Sequence, residues 1–417
     1  MARKARNNAH AHLEPTAQRE RLERYFRRER VEAPEMAPWV TGASHPDEPY
    51  HRWLRYRQAF APQLVRHFLS STGAGADSTP ETPLLDPFSG SGTFAIECGR
   101  RGAHALGVEA IPVLAFLTRA RGEAPLTRVP SLRGCATWRD VAERLERPLH
   151  QAALIFAVAR GLTADGRIER AAPALPQRLR ESLMMIEDDQ RTPLQAPVRC
   201  EIGDARELTA IPDASISGLL TSPPYISRYD YRALTRAYGR VYRFWHGQAD
   251  ADDAQVRAQT DDEAPAFETA ELDADESDDP LDNEDRHADD ANGADFETGV
   301  ATQGDSTAAI DEVCEALRLR NLTRNATLAR AYFDDLTRAL REMARVLTPG
   351  APCWINVAGA RLRGVHIPAD LILTEIAIEL GFTLEQLTLV RDVTPSRRRL
   401  GDSPAVAPRE SIIQLRR

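Results

Sequence analysis

The sequence predicts an α/β protein built on a doubly wound, mostly parallel sheet, with a helical insertion and a disordered acidic insertion. Three observations predict it. Short apolar runs of strand length alternate with amphipathic helical stretches over much of the chain, the pattern of βαβ units. The first unit, "TPLLDPFSGSGTFAIECGRRGAHALGVEA", holds a glycine loop between a strand and a helix. Residues 249–305 then interrupt the alternation with acidic residues and almost no hydrophobic periodicity.

In order along the chain, residues 93–101 read as a helix after the glycine loop, followed by a strand ending at Glu109 and a helix over 111–121. From about 136 to 190 the pattern is mainly helical and arginine-studded, broken by "GLTADGR". "VRCEIGD" and "ASISGLL" read as strands. "ATLARAYFDDLTRALREMARVLTPG" places Leu336, Leu340, Met343 and Leu347 on one helical face and stops at a Pro-Gly C-cap. A strand "PCWINVAG", a helix "ADLILTEIAIELG" and closing strands "LEQLTLVRDV" and "ESIIQLRR" complete the unit.

Composition sets limits. The 417 residues are 42% hydrophobic, ample for a large core. The five cysteines are scattered and never form a C-x-x-C pair, which argues against a disulfide framework or a zinc site and fits a reducing cytoplasm. The N-terminus "MARKARNNAHAHLEP" has no apolar core of a signal peptide, and no stretch approaches the roughly 20 apolar residues of a membrane span. No metal-ligand cluster is visible. The net charge of −9 would speak against a polyanionic partner, but residues 249–305 concentrate the acidic residues. Without them the remainder is positive by roughly ten charges, a balance compatible with nucleic acid. Arginine dominates, including "RERLERYFRRER" at 19–30, which reads either as a phosphate-contacting arm or as a solvated helix.

Gly90, Gly92 and Ala95 satisfy G-x-G-x-x-G/A, with Glu109 ending the next strand. That pattern alone would serve a dinucleotide enzyme, with the carboxylate on ribose hydroxyls. Asp86, however, stands just ahead of the loop, where its charge disfavours a pyrophosphate and favours a cation. S-adenosyl-L-methionine carries an ammonium, a sulfonium and no phosphate. Asp204, after a third strand, could accept a hydrogen bond from an adenine amino group or could cap a helix.

In "TSPPYISRYDY", Pro223 and Pro224 cannot continue a sheet, so they hold a rigid loop at the strand's edge. After it, Arg228, Arg232, Arg236, Arg240 and Arg243 fall on one side of a helical wheel. Tyr231, Leu234, Tyr238, Tyr242 and Trp245 fall on the other. The arginine side suits phosphates or simply solvent, and "SRRR" at 396–399 is a second, less specific candidate.

"DPFSGSGT" followed by "TSPPY" resembles the amino-methyltransferase family, enzymes that methylate exocyclic nitrogens of DNA bases, and the SPPY version resembles the N4-cytosine members. "YHRWLRYRQAFAPQLVRHFL" is similar to the family helix that closes over the methionine end of the cofactor, and "PRESIIQL" is similar to bacterial DNA methylases of this type. The resemblance implies a Rossmann-like class I methyltransferase fold. It implies S-adenosyl-L-methionine held by Asp86, Phe88, Gly90, Gly92, Thr93, Glu109 and Asp204. It implies catalysis by Ser222, Pro223, Pro224 and Tyr225, with Arg228, Arg232, Arg236 and Arg240 toward double-stranded DNA, and a cognate restriction or defence protein as a further partner. Ser222 and the Pro223 carbonyl would accept hydrogen bonds from the amine, and Tyr225 would stack on a flipped base.

On this reading the chain divides into a basic arm (1–44), a cofactor-binding half (45–121), a helical insertion that is the candidate for target recognition (122–198), a catalytic segment (199–248), the acidic insertion (249–305) and a C-terminal half (306–417). The same two loops would also serve an N6-adenine enzyme, an RNA base amino-methyltransferase, or a non-catalytic nucleic-acid-binding protein on this scaffold.

Overall fold

The computed structural model describes residues 16–41, 47–54, 56, 58–124, 131–135, 137–161, 174–226, 231–246, 306–362, 364–393 and 408–417. The acidic insertion and "SRRR" lie outside them.

Among the described residues the helices are α1 (Ala17–Tyr25), α2 (Pro62–Thr72), α3 (Ala74–Asp77), α4 (Thr93–Arg100), α5 (Pro112–Ala120), α6 (Trp138–Ala142), α7 (Pro148–Ala159), α8 (Leu175–Asp189), α9 (Tyr231–His246), α10 (Ser306–Leu319), α11 (Thr323–Val346) and α12 (Ala369–Glu379). The strands are β1 (Arg30–Glu32), β2 (Leu84–Asp86), β3 (Ala105–Glu109), β4 (Val198–Ile202), β5 (Gly218–Thr221), β6 (Pro352–Ala358), β7 (Ala360–Leu362), β8 (Val365–Ile367), β9 (Thr383–Asp392) and β10 (Arg409–Arg416).

Eight strands form one sheet in the order β1-β9-β10-β6-β5-β2-β3-β4. Every pairing is parallel except those of β10, which runs antiparallel between β6 and β9. β7 and β8 make a separate antiparallel hairpin.

Helices cover both faces, which is why β2, β3, β5 and β6 are buried along their whole lengths and read as continuous apolar runs. One apolar core takes Leu85, Leu219 and Ile355 against α10, α11 and α12, including Leu336, Leu340 and Met343. The other takes Leu84, Leu220 and Trp354 against α2, α4, α5 and α7. Alternate residues of each strand thus feed opposite cores, as the period of two requires. All five cysteines are free.

Three expectations are adjusted. The stretch 50–69 is not one helix: His51–Trp53 form a 3-10 turn, and α2 starts only at Pro62, where proline suits the first turn. α11 ends at Val346 with Leu347 extended, so Pro349 and Gly350 belong to the turn entering β6 rather than to the helix cap. The "ASISGLL" strand begins at Gly218, with Ile216 making only an isolated bridge to Leu347.

The N-terminal arginines are also placed. The buried Arg19 bonds Glu312 of α10 through Nε at 2.9 Å, and Arg21 reaches Glu375 of α12 at 2.7 Å. β1 then pairs with the sheet edge at β9. These two guanidiniums tie α1 to the C-terminal half and are engaged by carboxylates rather than offered to phosphate.

Candidate active site

The chain leaves β2 toward β3 on one side, and β5 toward β6 on the other. The boundary between β2 and β5 is therefore the switch point of the sheet, and ligands of open α/β sheets bind beyond the strand ends there. The register Leu84↔Gly218 and Leu85↔Leu219 brings the two carboxyl ends level. Thr221 Oγ1 then donates to Asp86 Oδ1 at 2.6 Å. One buried hydrogen bond thus joins the glycine loop to the Pro-Pro loop across 135 residues of sequence.

The glycine loop runs from Asp86 into α4. Phe88, half-buried, donates its N–H to Asp86 Oδ1 at 3.1 Å. Gly90 has φ +52° and gives its N–H to Glu109 Oε2 at 2.7 Å. Gly92, at φ +82°, precedes the first residue of α4, the buried Thr93. At 90 an added Cβ would meet only Tyr56 Cε1 at 3.6 Å and the Phe88 carbonyl at 3.9 Å, whereas at 92 it would overlap the Thr118 side chain on α5. The two glycines therefore differ: Gly92 is needed for helix packing, whereas a Cβ at Gly90 would make only ordinary van der Waals contacts.

Two carboxyls dominate the electrostatics. Asp86 is 1% exposed, and burial pushes its pKa up to about 7 against the hydrogen bonds from Thr221 and the Phe88 amide. No cation pairs with it among the described residues. Glu109 is likewise pushed up to about 7, chiefly by burial, although the amides of Ile111 and Gly90 lower it. Two desolvated acids facing one loop form a site that gains from a cationic or hydroxyl-bearing ligand.

The Pro-Pro loop continues from β5. Pro223 is buried, while Ser222, Pro224 and Tyr225 are partly exposed. Tyr225 Oη donates to Glu410 Oε1 at 2.6 Å and accepts from Asn356 Nδ2 at 2.9 Å, and Ser222 Oγ lies 3.4 Å from it. Arg391 Nε holds the other Glu410 oxygen at 2.7 Å. Thr221, Asn356, Arg391 and Glu410 were not singled out from the sequence. Glu410 lies within "PRESIIQL", the one signal that could have found it.

The remaining candidates are placed around this centre. Asp204 follows β4, but its carboxylate is held below the usual range first by the Arg206 guanidinium, which contacts both oxygens and also Asp335. It caps no helix; it accepts the Arg206 amide in a turn. On α9, Arg236 and Arg240 are exposed while Tyr238, Val241 and Tyr242 are buried against α5, α6 and α7. Arg228 lies outside the described residues, and Arg232 is described only as a backbone position of α9. Among the described residues no group of His, Cys, Asp and Glu could hold a metal ion, and no helix is long and apolar enough to cross a membrane.

A buried carboxyl group at the tip of β2, a second at the tip of β3 and a glycine loop between them fit S-adenosyl-L-methionine in charge. With helices on both faces of a sheet in this order, they define an S-adenosyl-L-methionine-dependent methyltransferase of Rossmann-like, class I architecture. Residues 55–137, spanning α2, the glycine loop and α5, match a family model described as UPF0020: RMKL-like, methyltransferase domain. The chain is 21% identical over 461 residues to the Type II methyltransferase M.BsoBI of Geobacillus stearothermophilus, covering 89% of this chain and 86% of that protein. It is 30% identical over 74 residues, 18% of this chain and 14% of that protein, to the Type II methyltransferase M.AvaI of Nostoc sp. (strain PCC 7120), and equally to M.AvaI of Anabaena variabilis. These similarities support an S-adenosyl-L-methionine-dependent DNA methyltransferase family for this chain.

Proposed function

We propose that this enzyme methylates the exocyclic N4 of cytosine in double-stranded DNA. The observation that carries the reading is the Thr221–Asp86 hydrogen bond, which sets the catalytic loop beside the cofactor loop. S-adenosyl-L-methionine, when bound, supplies an electrophilic methyl group on a sulfonium. Asp86 would hold its ammonium and Glu109 its ribose hydroxyls, with Gly90, which carries no side chain, allowing close approach to the loop backbone.

An aryl amine is a poor nucleophile because its lone pair is delocalised into the ring. Ser222 Oγ and the Pro223 carbonyl, accepting from the two amino hydrogens, would draw the nitrogen toward tetrahedral geometry. Transfer would form the nitrogen–carbon bond as the sulfur–carbon bond breaks with its electron pair to sulfur, leaving a neutral thioether, and the nitrogen's surplus proton would pass to solvent. Holding the reactants at attack distance supplies much of the rate. Tyr225, fixed at its hydroxyl, offers its ring to a base taken out of the stack. A hydroxyl rather than a carboxylate at 222 favours cytosine over adenine. Similarity to type II methyltransferases supports DNA as the substrate and a cognate restriction or defence protein as the cellular partner.

The test is methyl transfer to duplex DNA followed by digestion to nucleosides. N4-methylcytosine is expected; N6-methyladenine alone would overturn the base, and methylation of RNA alone the substrate. Ser222→Ala should lower kcat about tenfold to a hundredfold with the cofactor Kd little changed, since the lost hydrogen bond acts in the transition state.

The exposed face of α9, carrying Arg236 and Arg240, is proposed to track phosphates. Arg236→Ala and Arg240→Ala should each weaken DNA binding about equally on all sequences and reduce the salt slope by about one. A loss confined to one sequence, with an unchanged slope, would remove this face from the interface.

A further inference from the structure

The hydroxyls of the catalytic loop form a chain with a direction. A hydroxyl has one hydrogen and two acceptor sites. Tyr225 spends its hydrogen on Glu410 Oε1 at 2.6 Å, and a carboxylate is the strongest acceptor it could meet. Glu410 is itself 1% exposed, and its second oxygen is taken by Arg391 at 2.7 Å. Toward Asn356 Nδ2 at 2.9 Å, Tyr225 Oη is an acceptor. Toward Ser222 Oγ at 3.4 Å it can again only accept, so the hydrogen of that serine is directed to Tyr225. The contact lies at the long end of the hydrogen-bond range.

With its hydrogen so directed, Ser222 presents lone pairs elsewhere. An exocyclic amine needs that polarity, because it offers only hydrogens, whereas the keto oxygen of thymine or uracil in the same place would need a donor. A serine free to rotate would serve either. We propose that Glu410 is a positioning residue that, through Tyr225, fixes Ser222 as a hydrogen-bond acceptor and so matches the loop to an amine. The inference rests on the reading of Ser222 as the amine's acceptor given above.

Glu410→Gln tests it with almost no change of shape. Arg391 offers only donors, so the amide oxygen must turn to Arg391 and the amide nitrogen to Tyr225. The Tyr225 hydrogen is then displaced toward Ser222, and the chain reverses. Glu410→Gln should lower kcat at least about tenfold on duplex DNA, with thermal stability and the Kd for S-adenosyl-L-methionine close to wild type. Tyr225→Phe, which removes the link, should also lower kcat, and the double variant should be no slower than the slower single one. A Gln variant with wild-type kcat, losses that multiply in the double variant, or a loss that tracks melting temperature or cofactor affinity would overturn the positioning role. A wild-type protein that transfers no methyl group to DNA would instead overturn the reading beneath it.

Discussion

Asp86→Asn should raise the melting temperature of the ligand-free protein near pH 8 and weaken S-adenosyl-L-methionine binding by at least about tenfold. Both effects have one cause. The carboxyl is buried, its Oδ1 takes the hydrogen bonds of Thr221 and the Phe88 amide, and no cation stands beside it among the described residues. Its folded pKa, about 7, lies above the ordinary carboxylate value. Below the ordinary value the group is protonated in both states and costs nothing. As pH rises through the interval up to about 7 the unfolded chain ionises first, so stability falls and stays low above it. An interval of about three units corresponds to roughly 4 kcal/mol as an upper bound, a large share of a typical net stability.

A bound cation reverses the balance, because it favours the carboxylate. Binding should then release protons, and affinity should climb with pH and level off above about 7. Glu109, pushed up to the same region, would steepen the climb. Calorimetric melting across pH, with titration in buffers of different ionisation heat, checks both halves. An asparagine variant that melts no higher than wild type near pH 8, or a wild-type affinity flat across the mildly acidic range, would refute the account.

The second large effect separates two glycines that look alike in "SGSGT". Gly92→Ala combines a left-handed backbone at φ +82° with overlap of Thr118, itself fully buried on α5. Strain and overpacking together should remove about 2–5 kcal/mol of stability. Gly90→Ala meets no atom nearer than 3.6 Å and should lose only about 1–2 kcal/mol for its backbone at φ +52°. Its methyl group would instead occupy the approach to the loop, so cofactor affinity should fall in a protein that still folds. Denaturant midpoints and cofactor titration on both variants decide the matter; equal losses of stability would show that the loop makes no such division.

The two loops were legible because each is a local code: glycines where φ is positive, prolines where a strand must stop. Strands and helices of the sheet were legible for the same reason, since both faces are covered and each element carries its own period. The partners of the loops were not. Glu410 is 185 residues from Tyr225 and Asn356 is 131 away, and only strand pairing brings them together. Arg19 and Arg21 misled in the same way. A run of arginines does not name its partners, and theirs, Glu312 and Glu375, stand 293 and 354 residues along the chain.

The antiparallel strand β10 has a consequence for the order of assembly. It follows β9 in the chain yet lies inside it, between β9 and β6. β9, and β1 beyond it, cannot join the rest of the sheet until β10 has filled the gap, so this side of the molecule closes by a non-local event with a substantial loop entropy. Glu410 is the second residue of that strand and pairs with Ala358 and Arg391 as it docks. The carboxylate that anchors Tyr225 therefore reaches the Pro-Pro loop only when the sheet is whole. Partly folded chains, with β2, β3 and β5 already paired, would have a glycine loop but no oriented Ser222, and competence for chemistry would arrive together with the final closure of the fold.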